Sequence, residues 1–290
     1  IHQGLYLTAF RPQARTVIEA FLRTEMGEGC ALLEPAEAAR RAPELQLDGA
    51  QAVLYSPHEM RVESRTAIGL LARWLAEAHG VVFRFGEAVL EVTTPHVRTS
   101  RAVLQADRVV VCTNTELHGL FAERLAPHAL RLCQLQMLRV MPEPGFRLPG
   151  SVMADLSLVR YHGYSQLPEA APLLEQIQRE EGESLAHGIH LIVVQSADGS
   201  LVVGDSHHYG AAPEPFASEH VDTLILRHLR ETLRLREATV TARWVGTYPS
   251  SPDTDCLIDA PDDATRVVLV TSGTGASTAF GIAEEVFAGW

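Results

Sequence analysis

Two short stretches of this chain run an apolar strand into a small polar loop. The first, 107–114, reads Asp-Arg-Val-Val-Val-Cys-Thr-Asn, and the second, 266–275, reads Arg-Val-Val-Leu-Val-Thr-Ser-Gly-Thr-Gly. Continuous apolar runs of this length are typical of buried parallel strands, and open α/β sheets bind ligands at the loops that leave the strand carboxyl ends. We therefore expect both loops to lie at one edge of a sheet, where a nucleotide cofactor binds.

The second loop leads directly into a predicted helix. Its small residues are Gly273, Thr274, Gly275, Ala276, Ser277 and Thr278. Glycine lets a backbone approach a ligand closely, and a helix N-terminus offers unpaired N–H groups and the positive end of a dipole. A turn that needs glycine only for its geometry is the alternative. The first apolar strand, whose loop points to the same edge, favours the cofactor site.

Adjacent histidines follow another predicted strand, in the segment Gly204–Tyr209. Neighbouring strand residues face opposite sides, so only one of His207 and His208 can point into a given pocket. No HExxH or similar motif accompanies them. We expect no metal site here; a histidine or Tyr209 lines a pocket, or the segment is a surface turn.

Two further predicted strands carry polar residues that could meet a ligand. Arg160 and Tyr161 lie on one, and Gln136 and Arg139 lie on the other. A buried arginine needs an anionic partner, because leaving its charge unpaired costs several kcal/mol. A structural salt bridge and a substrate anion both meet this requirement, and the sequence does not choose between them.

Composition excludes several classes of function. The formal net charge is −12, and all 24 basic residues are arginines. Such a chain lacks the positive surface that nucleic acid requires, and it has no lysine for a pyridoxal Schiff base or a P-loop. Four cysteines with no metal or redox spacing indicate reduced core thiols and a cytoplasmic location. No apolar run is long enough to cross a membrane.

The remaining segments mix helices and strands without simple alternation. Apolar stripes predict amphipathic helices near 14–22, 64–79 and 218–235, followed by a last helix over 276–288. The predicted strands include 81–85, 107–112, 132–140, 157–161 and 189–195, the last of which enters an Asp-Gly hairpin turn. These patterns favour an α+β fold with a doubly wound sheet in pieces and a mostly antiparallel sheet that has helices on one face.

Taken together, these segments resemble the D-amino-acid oxidase and glycine oxidase superfamily of FAD-dependent oxidoreductases. Within it they are most similar to a bacterial branch associated with aminophosphonate degradation. The resemblance spans nearly the whole chain through the order and spacing of 54–62, 106–112, 135–139, 188–199, 204–207 and 271–281.

The resemblance implies two domains and one cofactor, FAD. The implied substrate domain comprises 1–60 and 130–247, and the remainder of the FAD-binding domain comprises 61–129 and 248–290. The bound flavin would take a hydride from the carbon beside an amine while protein groups orient the substrate. The implied FAD-binding residues are Val89, Cys112, Thr113, Asn114, Gly273, Thr274, Gly275, Ala276, Ser277 and Thr278.

The chain departs from the family pattern in two places. Tyr248 stands where the glycine oxidase pattern has an arginine that grips the substrate carboxylate, which favours a differently shaped acid such as a phosphonate. The implied substrate-binding residues are Arg160, as the anion anchor, with His207, Tyr209, Tyr248 and Gln136. The second departure is the family's N-terminal Gly-x-Gly-x-x-Gly segment, which the given sequence does not contain, so we expect a truncated chain.

We therefore expect an FAD-dependent oxidoreductase that acts on the carbon–nitrogen bond of a small amine, with an aminophosphonate favoured. A glycine- or sarcosine-type amino-acid oxidase and a non-catalytic remnant of the fold stay open as alternatives. No residue type or spacing singles out a catalytic acid or base, and the oligomeric state is not indicated.

Overall fold

The computed structural model describes residues 4–290, which form two compact units. Among these residues, the first unit comprises 4–68, Leu135–His208 and Pro215–Gly246, and the second comprises Gly69–Gln134, Tyr209–Glu214 and Thr247–Trp290. That the first unit binds the substrate and the second binds FAD stays a prediction.

Helices and strands alternate irregularly along the described residues. The strands are β1 (Leu5–Ala9), β2 (Ala31–Leu33), β3 (Ala52–Ser56), β4 (Val89–Thr93), β5 (His96–Thr99), β6 (Val103–Gln105), β7 (Val109–Val111), β8 (Arg131–Pro142), β9 (Ser151–Ala154), β10 (Ile192–Gln195), β11 (Leu201–Gly204), β12 (His208–Gly210), β13 (Ala238–Ser250), β14 (Cys256–Asp262) and β15 (Thr265–Val270). The α-helices are α1 (Pro12–Phe21), α2 (Pro35–Arg41), α3 (Ser64–His79), α4 (Ala122–Leu125), α5 (His162–Ser165), α6 (Ala170–Glu180), α7 (Gly182–Ala186), α8 (Glu219–Thr232) and α9 (Gly275–Ala288). Short 3-10 helices lie at Glu25–Gly27, Ala126–His128 and Asp155–Val159.

The larger sheet has the strand order β12-β8-β11-β10-β9-β1-β3-β2, and β13 also pairs with β8. β1 and β9 run parallel, whereas β1–β3, β9–β10, β10–β11 and β11–β8 are antiparallel. The Asp198–Gly199 turn joins β10 to β11, with Gln195 opposite Leu201. The predicted hairpin and the mostly antiparallel sheet are therefore confirmed.

Helices cover both faces of this sheet. Tyr6 of β1 packs in a core that also holds Ile225 of α8, whereas Leu7 packs in a second core with Ile18 of α1 and Ile177 of α6. Successive strand residues point to opposite faces, so α8 lies on one side and α1 and α6 lie on the other. The mixed helix-and-sheet class is confirmed; the expected placement of helices on one face is corrected to both, because β1 is apolar at successive positions and not at alternate ones.

The second unit contains two small sheets. In one, β14 pairs antiparallel with β15, and β15 runs parallel to β7 with Arg266 opposite Val110. The other is the antiparallel sheet β4-β5-β6. The prediction that the two apolar stretches form parallel strands is confirmed. β7 ends at Val111, however, and Cys112 is exposed, so its expected place in a buried strand is corrected.

Three other sequence expectations differ from the structure. The segment 157–161 belongs to a 3-10 helix and the turn after it, because the buried Asp155 carboxylate accepts the Phe10 N–H and fixes a helical turn there. Residues 81–85 form no strand, since no neighbouring strand in the described chain pairs with them. The apolar stripe of α3 is exposed, with Leu70 at 53 % and Trp74 at 54 %. None of the described helices is long and apolar enough to cross a bilayer.

Candidate functional site

The loops that follow β7 and β15 meet at one edge of the small sheet. A cavity of about 410 Å³ is bordered by Cys112 and Asn114 from the first loop and by Gly275 from the second. Apolar side chains of β7, β15 and α9 line the rest of it. The parallel register of the two strands brings these loops together, as the sequence indicated.

Thr113 carries an unsatisfied polar atom at this edge. Its Oγ1 is buried and has no hydrogen-bond partner in the described structure. An unsatisfied buried hydroxyl costs about 1–3 kcal/mol. The next residue, Asn114, turns the chain with a φ of 50°, a left-handed conformation that asparagine adopts more readily than most residues. The Thr113 hydroxyl is therefore a buried polar group without a partner, between two residues that border the cavity.

Helix α9 begins beside the same cavity. Its N-cap residue, Thr274, makes no side-chain cap, because Thr274 Oγ1 lies 2.6 Å from Ser272 Oγ instead. Ser277 Oγ and Thr278 Oγ1 donate back to the Thr274 carbonyl, and no acidic residue lies in the first turn. The first N–H groups of a helix have no partner within it. They and the dipole of α9 can therefore bind an electron-rich group.

Tyr248 of β13 lies beside this second loop. A Cβ built on Gly273 would be 3.4 Å from the Tyr248 hydroxyl oxygen. The structure thus places Tyr248 next to residues predicted to bind FAD. Val89, by contrast, begins β4 in the separate sheet, is 43 % exposed, and does not line the cavity.

Gln136 is buried, and its side-chain amide ties β8 to the start of α8. Gln136 Oε1 accepts from the Ser218 N–H at 2.8 Å, and Nε2 donates to the Ser218 carbonyl at 2.9 Å and to Asp222 Oδ1 at 2.8 Å. Both ends of this amide have partners inside the protein.

A buried polar cluster lies where β10 begins and β11 ends. His190 Nε2 is 3.4 Å from Asp205 Oδ1, and His207 Nε2 is 3.8 Å from Asp205 Oδ2. The Nδ1 atoms of the two histidines lie 3.4 Å and 3.0 Å from the Gly188 carbonyl oxygen. The Tyr161 hydroxyl lies 2.8 Å from His190 Nε2. We call these four residues with Gly188 the histidine cluster.

Burial dominates the electrostatics of the histidine cluster. It raises the pKa of Asp205 to about 7, an increase that the positive charge of Arg160 opposes. Burial and Arg160 together lower the pKa of His207 to about 3, and burial with the neighbouring His207 lowers the pKa of His190 well below its usual range. Both imidazoles are therefore neutral at neutral pH.

Arg160 follows the 3-10 helix Asp155–Val159, half-buried, and supplies the positive charge of this region. Tyr209 is 39 % exposed and has the Arg131 guanidinium 4.3 Å from its ring centroid. Arg160 is thus close enough to His207 to lower its pKa, and Tyr248 lies beside the loop that contains Gly273.

Sequence reasoning did not single out His190 or Asp205. They are 15 positions apart in the chain, and each looks like a polar residue beside an apolar strand. The one available signal is that β10 and β11 form a hairpin, which brings the start of one strand next to the end of the other. Which side chains turn inward there depends on the bends outside the strands, and periodicity does not predict those.

Comparison with known proteins identifies the family of this chain. The family model described as "DAO: FAD dependent oxidoreductase" matches residues 1–288. A search of curated proteins finds no match.

Solved structures share the fold at low sequence identity. Glycine oxidase from Bacillus cereus ATCC 14579 aligns with a TM-score of 0.73 at 14 % identity, covering 95 % of this chain and 68 % of that one. Glycine oxidase from Geobacillus kaustophilus gives 0.73 at 17 %, covering 99 % and 71 %. L-proline dehydrogenase from P. horikoshii gives 0.75 at 15 %, covering 99 % and 71 %. Since the family model covers nearly the whole chain, this protein belongs to the DAO family of FAD-dependent oxidoreductases.

Proposed function

We propose that this protein oxidises the carbon–nitrogen bond of a small amine and that its substrate is an aminophosphonate. The single observation that carries the proposal is the edge where β7 and β15 end. There Cys112, Asn114 and Gly275, the first residue of α9, border one cavity, and Thr113, between the first two, has a buried hydroxyl without a hydrogen-bond partner in the described structure. FAD is the cofactor of the family, and this edge has the donors that a dinucleotide requires.

The residues present at this edge fit FAD. The Thr113 hydroxyl would bond the dinucleotide, with Cys112 and Asn114 beside it, and the first N–H groups of α9 would hold an electron-rich part of the cofactor. Bound FAD supplies the acceptor for the two electrons and the hydrogen that leave the carbon beside the amine. Gly273 lies beside Tyr248, and a Cβ built on this glycine would be 3.4 Å from the phenol oxygen.

Replacing Thr113 by valine tests this cofactor assignment through two readouts of opposite sign. Valine has nearly the shape of threonine, so removing the unpartnered hydroxyl should leave the flavin-free protein as stable as wild type or up to about 1–3 kcal/mol more stable. Losing its bond to FAD should weaken FAD binding by about 0.5–1.5 kcal/mol, roughly two- to tenfold in Kd. Chemical denaturation and FAD titration measure the two effects, and an unchanged FAD affinity would remove Thr113 from the cofactor site.

Arg160 is the group that we propose holds the substrate anion. A guanidinium presents a planar fork that matches two oxygens of a phosphonate. Tyr248, which takes the place of the carboxylate-binding arginine in the glycine oxidase pattern, has no positive charge to grip an α-carboxylate. We carry Arg160, Tyr209 and Tyr248 into the proposal. Gln136 and His207 have protein partners at their polar ends, and their contact with substrate stays a prediction.

A panel of amines distinguishes the proposal from its alternatives. The FAD-loaded enzyme would be assayed for kcat/KM with 2-aminoethylphosphonate, glycine and sarcosine, using an artificial electron acceptor so that the natural acceptor need not be known. We expect the phosphonate to give a kcat/KM at least about tenfold above the others, the equivalent of one charge-assisted hydrogen bond. A preference for glycine or sarcosine would replace the proposal by an amino-acid oxidase, and flavin binding without turnover of any amine would indicate a remnant of the fold.

None of the four cysteines, all of which lie within residues 4–290, forms a disulfide in the structure. Disulfides are rare in the reducing cytoplasm, so we propose a cytoplasmic location for the protein.

A further inference from the structure

We propose that His190, Asp205 and His207 form a binding site for one divalent transition-metal ion of zinc type. Among residues 4–290, these three side chains offer ligand atoms that all lie within 4.8 Å of one another. The proposal goes beyond the amine oxidation proposed above: His207, a predicted substrate contact, becomes a metal ligand, and zinc bound by the purified chain can be measured without an amine or FAD.

The donor set and its spacing fit such an ion. Two imidazole nitrogens and one carboxylate oxygen are borderline ligands that suit zinc and its first-row neighbours better than calcium or magnesium. Metal–ligand distances of about 2.0–2.1 Å put tetrahedral ligands about 3.3 Å apart. His190 Nε2 and Asp205 Oδ1 are already 3.4 Å apart, and His207 Nε2 lies 3.8 Å from the other carboxylate oxygen. A small approach of His207 completes the geometry.

The Gly188 carbonyl orients both imidazoles for this role. A neutral imidazole has one N–H, and His207 Nδ1 at 3.0 Å and His190 Nδ1 at 3.4 Å both face this acceptor. With the proton on Nδ1, the Nε2 atom of each imidazole is an acceptor within 4 Å of an Asp205 oxygen. Metal-binding histidines characteristically donate their other N–H to a backbone carbonyl or a carboxylate.

Asp205 brings a buried acceptor without a hydrogen-bond partner into the histidine cluster. The Asp205 side chain is 15 % exposed, and its Oδ1 is buried and has no hydrogen-bond partner in the described structure. The carboxylate and the two imidazoles therefore bring three potential ligand atoms within 4.8 Å of one another. Such an arrangement is unfavourable unless a cation or a proton occupies it, and a metal ion satisfies all three groups at once.

Two neighbours set the conditions for binding. Arg160 already offsets the charge of Asp205, so a divalent ion would leave excess positive charge and should take hydroxide or another anion as its fourth ligand. The Tyr161 hydroxyl, 2.8 Å from His190 Nε2, competes with the ion for that nitrogen. Replacing Tyr161 by phenylalanine should therefore strengthen metal binding while leaving all three ligands in place.

The experiment measures zinc retained by the purified full chain. Protein stripped with a chelator is equilibrated with Zn²⁺, freed of excess metal by gel filtration, and analysed by mass spectrometry of the metal. The variants are Asp205→Asn, Tyr161→Phe and His220→Gln. His220 is the matched control, because it is an exposed histidine paired with Glu183 and lies near His187, where surface imidazoles could also collect metal.

We expect one zinc ion per chain in wild type, Tyr161→Phe and His220→Gln, with Tyr161→Phe holding it at least severalfold more tightly, and at least tenfold less zinc in Asp205→Asn. X-ray absorption of wild-type protein, which needs no variant to fold, should show a first shell of nitrogen and oxygen with two imidazoles. No retained zinc in wild type would mean that a proton fills the cluster and would overturn the proposal. Loss of zinc in His220→Gln would assign the metal to the surface. Full retention of zinc by folded Asp205→Asn would show that Asp205 does not bind it. Either result would overturn the proposal.

Discussion

Replacing Arg160 by alanine is expected to lower kcat/KM for an aminophosphonate about 10- to 150-fold. The reason is the loss of a charge-assisted pair between the guanidinium and the phosphonate, worth about 1.5–3 kcal/mol. Arg160→Lys keeps the charge without the planar fork and should recover part of the loss. Steady-state kinetics of the FAD-loaded variants measures both effects.

A purely structural role for Arg160 predicts results that differ from those of a substrate anchor. Arg160 lowers the pKa of Asp205, so it also stabilises the histidine cluster as part of the protein itself. A purely structural role would lower the unfolding temperature and leave kcat/KM of the folded fraction near wild type. Arg23→Ala, which removes an arginine that is 67 % exposed, is the control for general loss of charge. If folded Arg160→Ala enzyme turned over the phosphonate within twofold of wild type, the anion-anchor role would be wrong.

Replacing Arg11 by alanine is expected to destabilise the protein by roughly 3–5 kcal/mol, because it leaves a buried carboxylate without its counter-charge. Arg11 Nη1 lies 2.8 Å from Asp155 Oδ1, and Asp155 is 3 % exposed. The same arginine also contacts the more exposed Glu180 at 2.7 Å. Chemical denaturation measures the difference in the free energy of unfolding.

The effect of Arg11→Ala should depend on pH in a defined direction. Burial raises the folded-state pKa of Asp155 above its unfolded value, and Arg11 opposes that rise. A raised carboxyl pKa contributes stability that is present at low pH and lost as the pH rises through the folded-state pKa. Removing Arg11 raises this pKa further, so the variant should lose more stability than wild type between acidic and neutral pH.

Arg15→Ala is the matched control for this prediction. Arg15 also pairs with two carboxylates, Glu19 at 2.9 Å and Glu34 at 2.8 Å, but its side chain is 33 % exposed. Exposed pairs contribute about 0–1 kcal/mol, so little change in stability is expected. Equal losses for Arg11→Ala and Arg15→Ala, or a loss for Arg11→Ala that does not change with pH, would contradict the account of the buried pair.

Local patterns predicted most of the fold because packing agreed with them. The Asp198–Gly199 turn, the parallel apolar strands and the long helix near 218–235 all combine a strong local signal with a matching place in a core. The pattern at 64–79 predicted a helix, and α3 forms, but its stripe is exposed in the described structure. Periodicity shows which side of a helix is apolar; it does not show what covers that side.

The two candidate sites also differ in whether the sequence could predict them. The cofactor edge could be predicted because each loop directly follows an apolar strand and parallel strands end at one edge. The histidine cluster could not, because it depends on Gly188 and Asp205, whose backbone bends bring distant side chains together. The strand expected at 157–161 failed for a related reason: a contact made by Asp155 with a residue far away in the chain set the local conformation.

The proposed amine oxidation is tested most directly by adding an aminophosphonate to the FAD-loaded enzyme without oxygen and following the visible absorption of the flavin. We expect the absorption to bleach in proportion to the amine added and to return when an acceptor is supplied, because the flavin takes a hydride from the carbon beside the amine nitrogen. Flavin that stays fully oxidised with every amine, yet is reduced by dithionite, would contradict the proposed function.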